Sequence, residues 1–300
     1  MKRILITGAG SYIGTSVERW LNRPGFSGLY HVETIDMKGE GWKQHDFTGY
    51  DTVFHVAGIA HADIGKVTAE QKKGYYRVNC DLAVETAEKA KKEGVKQFIY
   101  MSSIIIYGEG TSVRKNRVIT GKTEPSPSSF YGDSKWMAEK KLRPLDCESF
   151  HVAVLRPPMI YGEGGRGNYR MLKKIALKSP VFPDFPNQRS MLHIDNLCEY
   201  VRRLAESSEG GVFFPQDSKC WRTADLVAQI GREHGKKVHL IKGFNWGIYL
   251  LGLLPGKTGR MVNKAFGSLT YEKSIDISFG RFDDQPVQHG QYTDFKRTGI

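Results

Sequence analysis

The sequence has no hydrophobic run long enough to cross a bilayer. The longest apolar stretch, 244–254, contains Asn245 and two glycines, whereas a spanning helix needs about 20 predominantly apolar residues. The first residues run directly into a strand pattern, without the apolar segment and small-residue cleavage site of a secretory signal. We therefore expect a soluble, cytoplasmic protein.

Cysteine is scarce, and its four positions are far apart, without CxxC or Cys/His spacing. This distribution predicts reduced packing residues, and neither a disulfide framework nor a metal site. Zinc-finger spacing, a recognition-helix signature and blocks of basic residues interleaved with aromatic ones are also missing. We therefore expect no nucleic-acid partner.

The chain has no low-complexity tract and no internal repeat, and its composition of 40% apolar and 25% charged residues is typical of a globular protein. A chain of 300 residues can bury a sizeable core as one large domain or as two unequal lobes. The net charge of +12 favours an anionic substrate or an acidic membrane surface, and a solvated basic surface is the alternative.

Strand and helix patterns alternate through the first half of the chain. Strand patterns occupy 3–7, 30–36, 51–57, 95–102 and 150–156, and helix patterns occupy 12–21, 77–93 and 131–142. Such alternation predicts an α/β fold, in which helices cover both faces of a doubly wound parallel sheet (Rossmann).

Glycine and proline crowd together after Arg156, where the alternation ends. We therefore predict a dinucleotide-binding domain over 1–160 and a smaller C-terminal substrate-binding lobe over 161–300. The apolar segment 211–215 is expected to return one strand to the main sheet. From Gly243 onward the pattern specifies no topology.

A glycine-rich loop, with Gly8, Gly10 and Gly14, lies between the first strand and the first helix. Such a turn lets the backbone approach a pyrophosphate at the helix N-terminus. Asp36 follows 22 residues after Gly14 at the end of the second strand, where a carboxylate can accept both adenosine ribose hydroxyls. This predicts NAD in preference to NADP, although Lys38 softens the preference. The alternative is a turn-forming Asp36.

Tyr131 and Lys135 are four residues apart, so both side chains lie on one helix face. A neighbouring cation favours phenolate, so we expect Lys135 to lower the pKa of Tyr131 for proton transfer. Ser103 ends the fourth strand, and parallel strands present their carboxyl ends to one crevice. The glycine loop, Asp36, Ser103 and Tyr131 are therefore predicted to converge there. Taken singly, YxxxK is frequent in surface helices.

At this point the sequence resembles the extended short-chain dehydrogenase/reductases, in particular the NAD-dependent nucleotide-sugar epimerase/dehydratase family. The resemblance covers most of the chain and thins after about Gly243. The matching segments, besides Asp36, are TGAGSYIG (7–14), HDF (45–47), FHVAGIAH (54–61), VN (78–79), MSSIIIYG (101–108), YGDSK (131–135), LRPPMIYG (155–162) and RSMLHIDNL (189–197).

The resemblance implies a set of residues that contact the cofactor and a catalytic set. The implied cofactor contacts are Gly8, Gly10, Ser11, Tyr12, Ile13, Gly14, Asp36, Asp46, Phe47, Ala57, Gly58, Tyr131, Lys135 and Pro158. The implied catalytic residues are Ser103, Tyr131, Lys135 and Asn79, where Asn79 orders the lysine and a water. In isolation, Asp46 suits a turn, Asn79 a helix start and His55 the core. Ser11 departs from the family's usual glycine, which predicts a weaker fit around the pyrophosphate.

The residues after Ser103 separate reaction types within the family. Dehydratases carry an Asp-Glu pair there, whereas this chain has Ile104 and Ile105, which transfer no protons. The resemblance then leaves hydride chemistry at C4 of a sugar, as in a 4-epimerase or a 4-ketoreductase. Met159 favours the reductase, while Asp36 and a tightly held NAD favour the epimerase.

The segments around 155–169 and 180–197 look most like enzymes acting on UDP-N-acetyl sugars and their 6-deoxy-4-keto derivatives. By that likeness Asn168 and Arg189 hold the UDP diphosphate, and guanidinium geometry suits phosphate. The alternative is a surface arginine in a loop. The resemblance also implies a homodimer and a place in surface-polysaccharide synthesis.

Two alternatives stay open. We expect 244–254 to form a buried core helix, but tryptophan among leucines between Lys242 and Lys257 also fits an interfacial helix, which would suit a lipid-diphosphate sugar. Relatives that serve as redox sensors or scaffolds have usually lost the catalytic tyrosine or lysine. The presence of Ser103, Tyr131 and Lys135 therefore favours an enzyme.

Overall fold

The computed structural model describes residues 1–59, 68–108 and 111–275. The last part of the predicted C-terminal lobe, 276–300, lies outside these residues. The strands are β1 (Lys2–Thr7), β2 (Tyr30–Ile35), β3 (Thr52–His55), β4 (Gln97–Met101), β5 (Asn116–Ile119), β6 (His151–Leu155), β7 (Met159–Tyr161), β8 (Val181–Pro183), β9 (Met191–His193), β10 (Gly211–Phe213), β11 (His239–Ile241) and β12 (Ser268–Tyr271). The helices are α1 (Tyr12–Leu21), α2 (Ala69–Tyr76), α3 (Leu82–Lys92), α4 (Phe130–Leu142), α5 (Asn168–Lys178), α6 (Ile194–Ser207), α7 (Thr223–Glu233), α8 (Asn245–Leu253) and α9 (Lys257–Phe266).

A six-stranded sheet with the order β10-β6-β4-β3-β1-β2 forms the centre of the molecule, and all its neighbours run parallel. The chain proceeds from β1 outward to β2, then returns past β1 to β3. The strand order therefore reverses between β1 and β3, where open α/β sheets place their ligand crevice. The predicted doubly wound parallel sheet is confirmed.

Alternate side chains of each strand face opposite helix layers, because successive residues of a strand point to opposite sides. Ile4 and Ile6 pack in the core shared with α1 and α6, whereas Leu5 packs in the core shared with α3 and α4. Every residue of β3 and β4 is buried. This double burial explains why these strands read as nearly continuous apolar runs.

The main layer continues beyond residue 160. Strand β10 pairs with β6, as expected for the segment 211–215. Helix α6 packs on α1, which sequence patterns had not indicated. The division into 1–160 and 161–300 stays a prediction.

The rest of the C-terminal half is built from two-stranded parallel pairs, β7 with β9 and β8 with β11. Helices α5 and α7 pack together over a separate apolar core that includes Leu172, Trp221 and Val227. Strand β12 returns to the first half of the chain and pairs with β5. Segments far apart in sequence therefore pack side by side in this half of the molecule.

Two sequence predictions of helices need correction. The predicted helix 77–93 is helical, but it begins with a π-helical turn, Arg77–Asp81, that follows directly on α2, and only Leu82–Lys92 is α-helical. The predicted core helix 244–254 is wrong in its burial: α8 forms there, but its buried residues are Ile248 and Gly252. Among the residues that the structure describes, no helix combines the length and apolarity needed to cross a membrane.

Candidate active site

The glycine turn lies at the carboxyl end of β1, where the strand order reverses. Gly8 and Gly10 have φ of +107° and +71°, a region that side chains other than glycine rarely adopt. A Cβ on Gly8 would lie 2.9 Å from the main-chain nitrogen of Ala57, at the end of β3. The two strand ends therefore approach as closely as glycine allows, and the turn opens toward the N-terminus of α1.

Ser11 is the N-cap of α1, and its hydroxyl accepts a hydrogen bond from the amide of Gly14 at 3.1 Å. An N-cap side chain satisfies one of the free amides of the first helical turn. The serine that departs from the family pattern therefore has a structural role of its own. The amides of Tyr12 and Ile13 belong to the same first turn of α1. The N-terminal end of a helix attracts anions, so these amides are available to one.

This cradle fits a dinucleotide in shape and polarity. A Cβ on Gly14 would meet the Ser11 hydroxyl at 2.7 Å, and a Cβ on Gly58 would meet the Asn79 side-chain oxygen at 3.0 Å and the Lys135 Nζ at 3.2 Å. Glycine at both positions keeps the backbone open beside polar side chains. These are the features that a pyrophosphate and a nicotinamide ribose need.

Asp36 is the first residue after β2 and is exposed. Its Oδ1 accepts a hydrogen bond from the amide of Lys38 at 3.1 Å, so it forms the turn considered as its alternative. Oδ2 is in no hydrogen bond that the structure describes, so the turn and a ribose contact are compatible. Asp46 likewise accepts a hydrogen bond from Thr48, which holds its pKa below the usual range.

Phe47 and Pro158 are buried, in contrast to the exposed acids. The Phe47 ring belongs to the core under α3, and its amide donates to Glu93 at 2.7 Å. The structure therefore gives Phe47 a packing role, and it brings neither its ring nor its amide to the crevice. The adjacent Pro157 accepts a hydrogen bond from the amide of Ile104, which ties its loop to the segment after Ser103.

Ser103, Tyr131 and Lys135 converge at the carboxyl end of β4, as the sequence predicts. Ser103 caps the short 3-10 helix Ile104–Tyr107, and its side chain forms a hydrogen bond with the Tyr131 phenol. Lys135 lies one turn further along α4, and its ammonium donates to the carbonyl of Met101 at 2.8 Å. A substrate hydroxyl at this point would meet a proton acceptor and a hydrogen-bond donor together.

Burial controls the protonation of this group. It raises the pKa of Tyr131 to about 12, against the lowering effect of the hydrogen bond with Ser103. Burial also lowers the pKa of Lys135 to about 7, although the charge of Glu139 opposes this. The prediction that Lys135 lowers the pKa of Tyr131 is wrong for this structure, because desolvation of the phenol dominates and the ammonium is bonded to Met101.

Asn79 lies in the π-helical turn and is fully buried. Its side chain donates to the Ser134 hydroxyl at 3.0 Å and accepts from the amide of Ile59 at 2.7 Å. It therefore joins α4 to the segment after β3, and it positions Lys135 through that helix without bonding to it. Residues 60 and 61 of the matching FHVAGIAH segment lie outside the described residues.

His55 is fully buried at the end of β3. Its Nδ1 lies 2.8 Å from the Thr7 hydroxyl, and its ring stacks on Phe98 and Tyr100. Burial lowers its pKa to about 3, with a smaller contribution from Lys135, so the imidazole is neutral. His55 is a core histidine, as its pattern suggested.

A buried ion pair behind Lys135 was missed by sequence reasoning. Glu139 and Arg156 form it, with 2.6 Å between Oε2 and Nη2, and both side chains are nearly inaccessible. Glu139 also accepts from the Ser102 hydroxyl, and Arg156 donates to the Tyr107 phenol at 2.6 Å. The spacing of Tyr131, Lys135 and Glu139, four residues each, was the available signal, since it places all three on one face of α4.

Arg189 and Asn168 differ in their surroundings. Arg189 is partly buried and donates to the main-chain carbonyl of Lys264 at 2.5 Å, and among the described residues no carboxylate pairs with it. Burial lowers its pKa to about 10. Asn168 begins α5 and is exposed, next to Gly167 with φ of +62°. A partly buried cation that no described carboxylate neutralises is a suitable partner for an anionic ligand.

Comparisons with known proteins identify the family of the chain. Residues 4–213 match the model of the NAD dependent epimerase/dehydratase family. The chain is 30% identical to a UDP-glucose 4-epimerase of Vibrio cholerae, over 99% of this chain and 94% of the relative. It is 28% identical to an N-acetyl-α-D-glucosaminyl-diphospho-ditrans,octacis-undecaprenol 4-epimerase of Escherichia coli O157:H7, over 81% of this chain and 71% of the relative.

Among solved structures, a dTDP-4-dehydrorhamnose reductase of Clostridium acetobutylicum is similar in fold. Its TM-score is 0.67 at 17% sequence identity, and the alignment covers 95% of each chain. At that identity the likeness concerns the fold alone.

Proposed function

Because the chain belongs to the NAD-dependent epimerase/dehydratase family, an enzyme family of the short-chain dehydrogenase type, we propose that it is a 4-epimerase of a nucleotide sugar. The substrate in this proposal is a UDP-N-acetylhexosamine or its 6-deoxy derivative. The observation that carries it is the convergence of Ser103, Tyr131 and Lys135 beside the glycine cradle.

The proposed reaction begins with removal of the 4-hydroxyl proton by Tyr131, while the Ser103 hydroxyl donates a hydrogen bond to the same oxygen. Tyr131 acts there in its ionised form, which the raised pKa of the phenol disfavours in the chain alone and which the positive nicotinamide ring of bound NAD would favour. NAD, when bound, supplies the acceptor for the C4 hydride and later returns it. The Tyr131 phenol then gives the proton back to the 4-oxygen of the other epimer. Ile104 and Ile105 offer no acid or base for a dehydration at neighbouring carbons.

Arg189 supports a diphosphate-linked substrate, since its guanidinium has no carboxylate partner among the described residues. In the proposal, Arg189 and Asn168 hold the diphosphate while the sugar reaches Tyr131. The two relatives described above are both 4-epimerases, and their names place a sugar on a diphosphate-bearing carrier. Exposed Asp36 favours NAD over NADP, because a carboxylate there repels a 2′-phosphate.

A 4-ketoreductase of UDP-2-acetamido-2,6-dideoxy-4-hexulose is the second candidate. The apolar, partly buried Met159 at the start of β7 favours it, since epimerases of this branch often carry a polar residue there.

A homodimer is also part of the proposal, and sedimentation equilibrium tests it. A non-catalytic dinucleotide sensor or scaffold is the alternative of another class.

The test supplies purified protein with UDP-N-acetylglucosamine alone, or with UDP-4-keto-6-deoxy-N-acetylglucosamine and reduced cofactor, and resolves the products by NMR. Formation of the C4 epimer from the first sugar without added cofactor is the expected result. Stoichiometric consumption of reduced cofactor with the second sugar only would replace the epimerase by the reductase. Turnover of neither sugar would contradict both.

A further inference from the structure

The helical hairpin of α8 and α9 presents an exposed apolar surface. The two helices pack on each other, and Asn263 of α9 donates to the carbonyl of Gly252 at 2.9 Å. We call the outer surface of this hairpin the α8–α9 face. Its exposed apolar residues are Phe244, Trp246, Leu250, Leu251, Leu253, Leu254 and Met261.

The exposure follows from helix periodicity. Ile248 and Gly252 are four residues apart on the buried side of α8, and a Cβ on Gly252 would meet the Val113 side chain at 2.6 Å. Trp246 and Leu250, also four apart, lie on the other side and are 67% and 54% exposed. The helix is apolar on both sides, but within the described part of the chain only one side packs against a core. A contiguous exposed apolar patch of this kind marks an interaction surface.

Positive charge surrounds this patch. The segment 242–271 has no Asp or Glu but has Lys242, Lys257, Arg260 and Lys264. On α9 the last three share one face with Met261, at spacings of three and four residues. Long basic side chains around exposed tryptophan and leucine match a membrane surface, where rings and chains enter the headgroup region and cations meet acidic lipids.

We propose that the α8–α9 face docks the protein on the surface of an anionic bilayer. Trp246, Leu250 and Leu253 enter the headgroup region, and Lys257 and Arg260 contact acidic headgroups. The net charge of +12 attracts the whole molecule to such a surface. An anionic surface explains why thirty consecutive positions, 242–271, contain no acidic residue.

Arg189 connects this surface to the candidate active site, because its guanidinium is bonded to the carbonyl of Lys264 in α9. This step rests on the proposed function. A diphosphate held by Arg189 would lie beside a helix that rests on the bilayer. The arrangement suits a sugar whose diphosphate is attached to a membrane lipid.

The test measures sedimentation of the full chain with vesicles, without sugar or added cofactor, so its outcome is independent of the proposed function. We expect binding to vesicles of 70% phosphatidylcholine and 30% phosphatidylglycerol. Trp246→Glu with Leu250→Glu should abolish this binding, whereas Leu29→Glu, an equally exposed leucine outside the hairpin, should leave it unchanged. Circular dichroism verifies that each variant is folded.

Complete recovery of the protein in the supernatant would overturn the proposal, as would equal binding by the double variant and the wild type. A dimer that the double variant dissociates, without vesicle binding by the wild type, would assign the face to a second copy of the chain instead. Lys257→Ala with Arg260→Ala should weaken binding roughly 30-fold, since each basic residue contributes near an acidic surface. Equal affinity for neutral and anionic vesicles would contradict the electrostatic part.

Discussion

Glu139 and Arg156 form an ion pair in the core between α4 and the end of β6, and Glu139 lies one helical turn beyond Lys135. Burial alone would lower the pKa of Arg156, but the hydrogen bonds with Glu139 hold it above its usual value. The same carboxylate favours the charged form of Lys135. One buried charge therefore supports two cations, of which one belongs to the candidate active site.

Glu139→Gln should destabilise the protein by roughly 3–5 kcal/mol, because it leaves the buried Arg156 without a counter-charge. Urea denaturation measures the loss. Glu139→Leu combined with Arg156→Met removes both charges, so it should cost less than the two single changes added together. Lys141→Ala is the control, since its ion pair with Asp81 is about half exposed and should be worth less than about 1 kcal/mol. If the loss of unfolding free energy in the double variant equalled the sum of the two single losses, Glu139 and Arg156 would not be energetically coupled as an ion pair.

Lys135→Met should stabilise the protein most below pH 7. The pKa of Lys135 is about 7 in the folded chain against 10.5 in the unfolded chain, so the unfolded chain binds more protons between these values. The cost of burying the ammonium is therefore fully present below pH 7 and disappears as the pH rises toward 10.5. We expect a gain on the order of 3–5 kcal/mol at pH 6 that shrinks by pH 10.

Urea denaturation at both pH values measures this difference. Lys140→Met, an exposed lysine of the same helix, is the matched control and should show no such pH dependence. A gain for Lys135→Met that is the same at pH 6 and pH 10 would show that the lysine is not desolvated.

Arg189→Gln should raise KM for the sugar nucleotide roughly 10- to 100-fold, because a charge-assisted bond to phosphate is lost. Removal of a desolvated cation should raise the free energy of unfolding, whereas loss of the hydrogen bond to the carbonyl of Lys264 should lower it by about 1 kcal/mol, so the rise in KM should not come from unfolding. Steady-state kinetics and urea denaturation measure the two effects. Arg222→Gln is the control variant, because Arg222 pairs with two carboxylates, Asp184 and Asp225. This change should leave KM for the sugar nucleotide unchanged. An unchanged KM for Arg189→Gln would remove the diphosphate role.

Gly8→Ala and Gly10→Ala separate backbone strain from lack of space. Both glycines have positive φ, but a Cβ on Gly8 meets the nitrogen of Ala57 whereas a Cβ on Gly10 meets nothing within 4 Å. We expect a loss of roughly 2–4 kcal/mol for Gly8→Ala and about 1 kcal/mol for Gly10→Ala. Thermal unfolding measures both, and calorimetric NAD titration should show the larger loss of affinity for Gly8→Ala. Equal losses would mean that β1 and β3 do not approach as described.

Tyr131→Phe should reduce kcat by roughly 10²- to 10⁴-fold, the usual contribution of a general acid or base. NAD binding should persist, because the ring and the glycine cradle remain. Tyr50→Phe removes a phenol bonded to Glu33 at the opposite end of the strands and should leave kcat unaltered. Full activity of Tyr131→Phe would disprove the catalytic assignment and favour the sensor or scaffold alternative.

Much of the fold and part of the site were predictable because they depend on local patterns. The glycines of the first turn, the alternation of strands with α1 and α4, and the four-residue spacing of Tyr131 and Lys135 each act over one element or one turn. Periodicity places the strands in a parallel sheet, and parallel strands deliver their ends to one crevice. The convergence of Ser103 with Tyr131 follows from that rule.

The sequence by itself thus determined the layers, the position of the crevice and the residues at its centre. Only the tertiary structure decided that α6 covers the main sheet, that Glu139 pairs with Arg156, and that the phenol of Tyr131 is shielded enough for burial to govern its pKa. It also showed that one side of α8 is exposed, since its buried residues are Ile248 and Gly252. The pattern of apolar residues predicts which side chains favour burial, but it does not predict which of them have a neighbouring element to pack against. Burial and charge pairing arise between residues distant in the chain, and no local pattern encodes such distances.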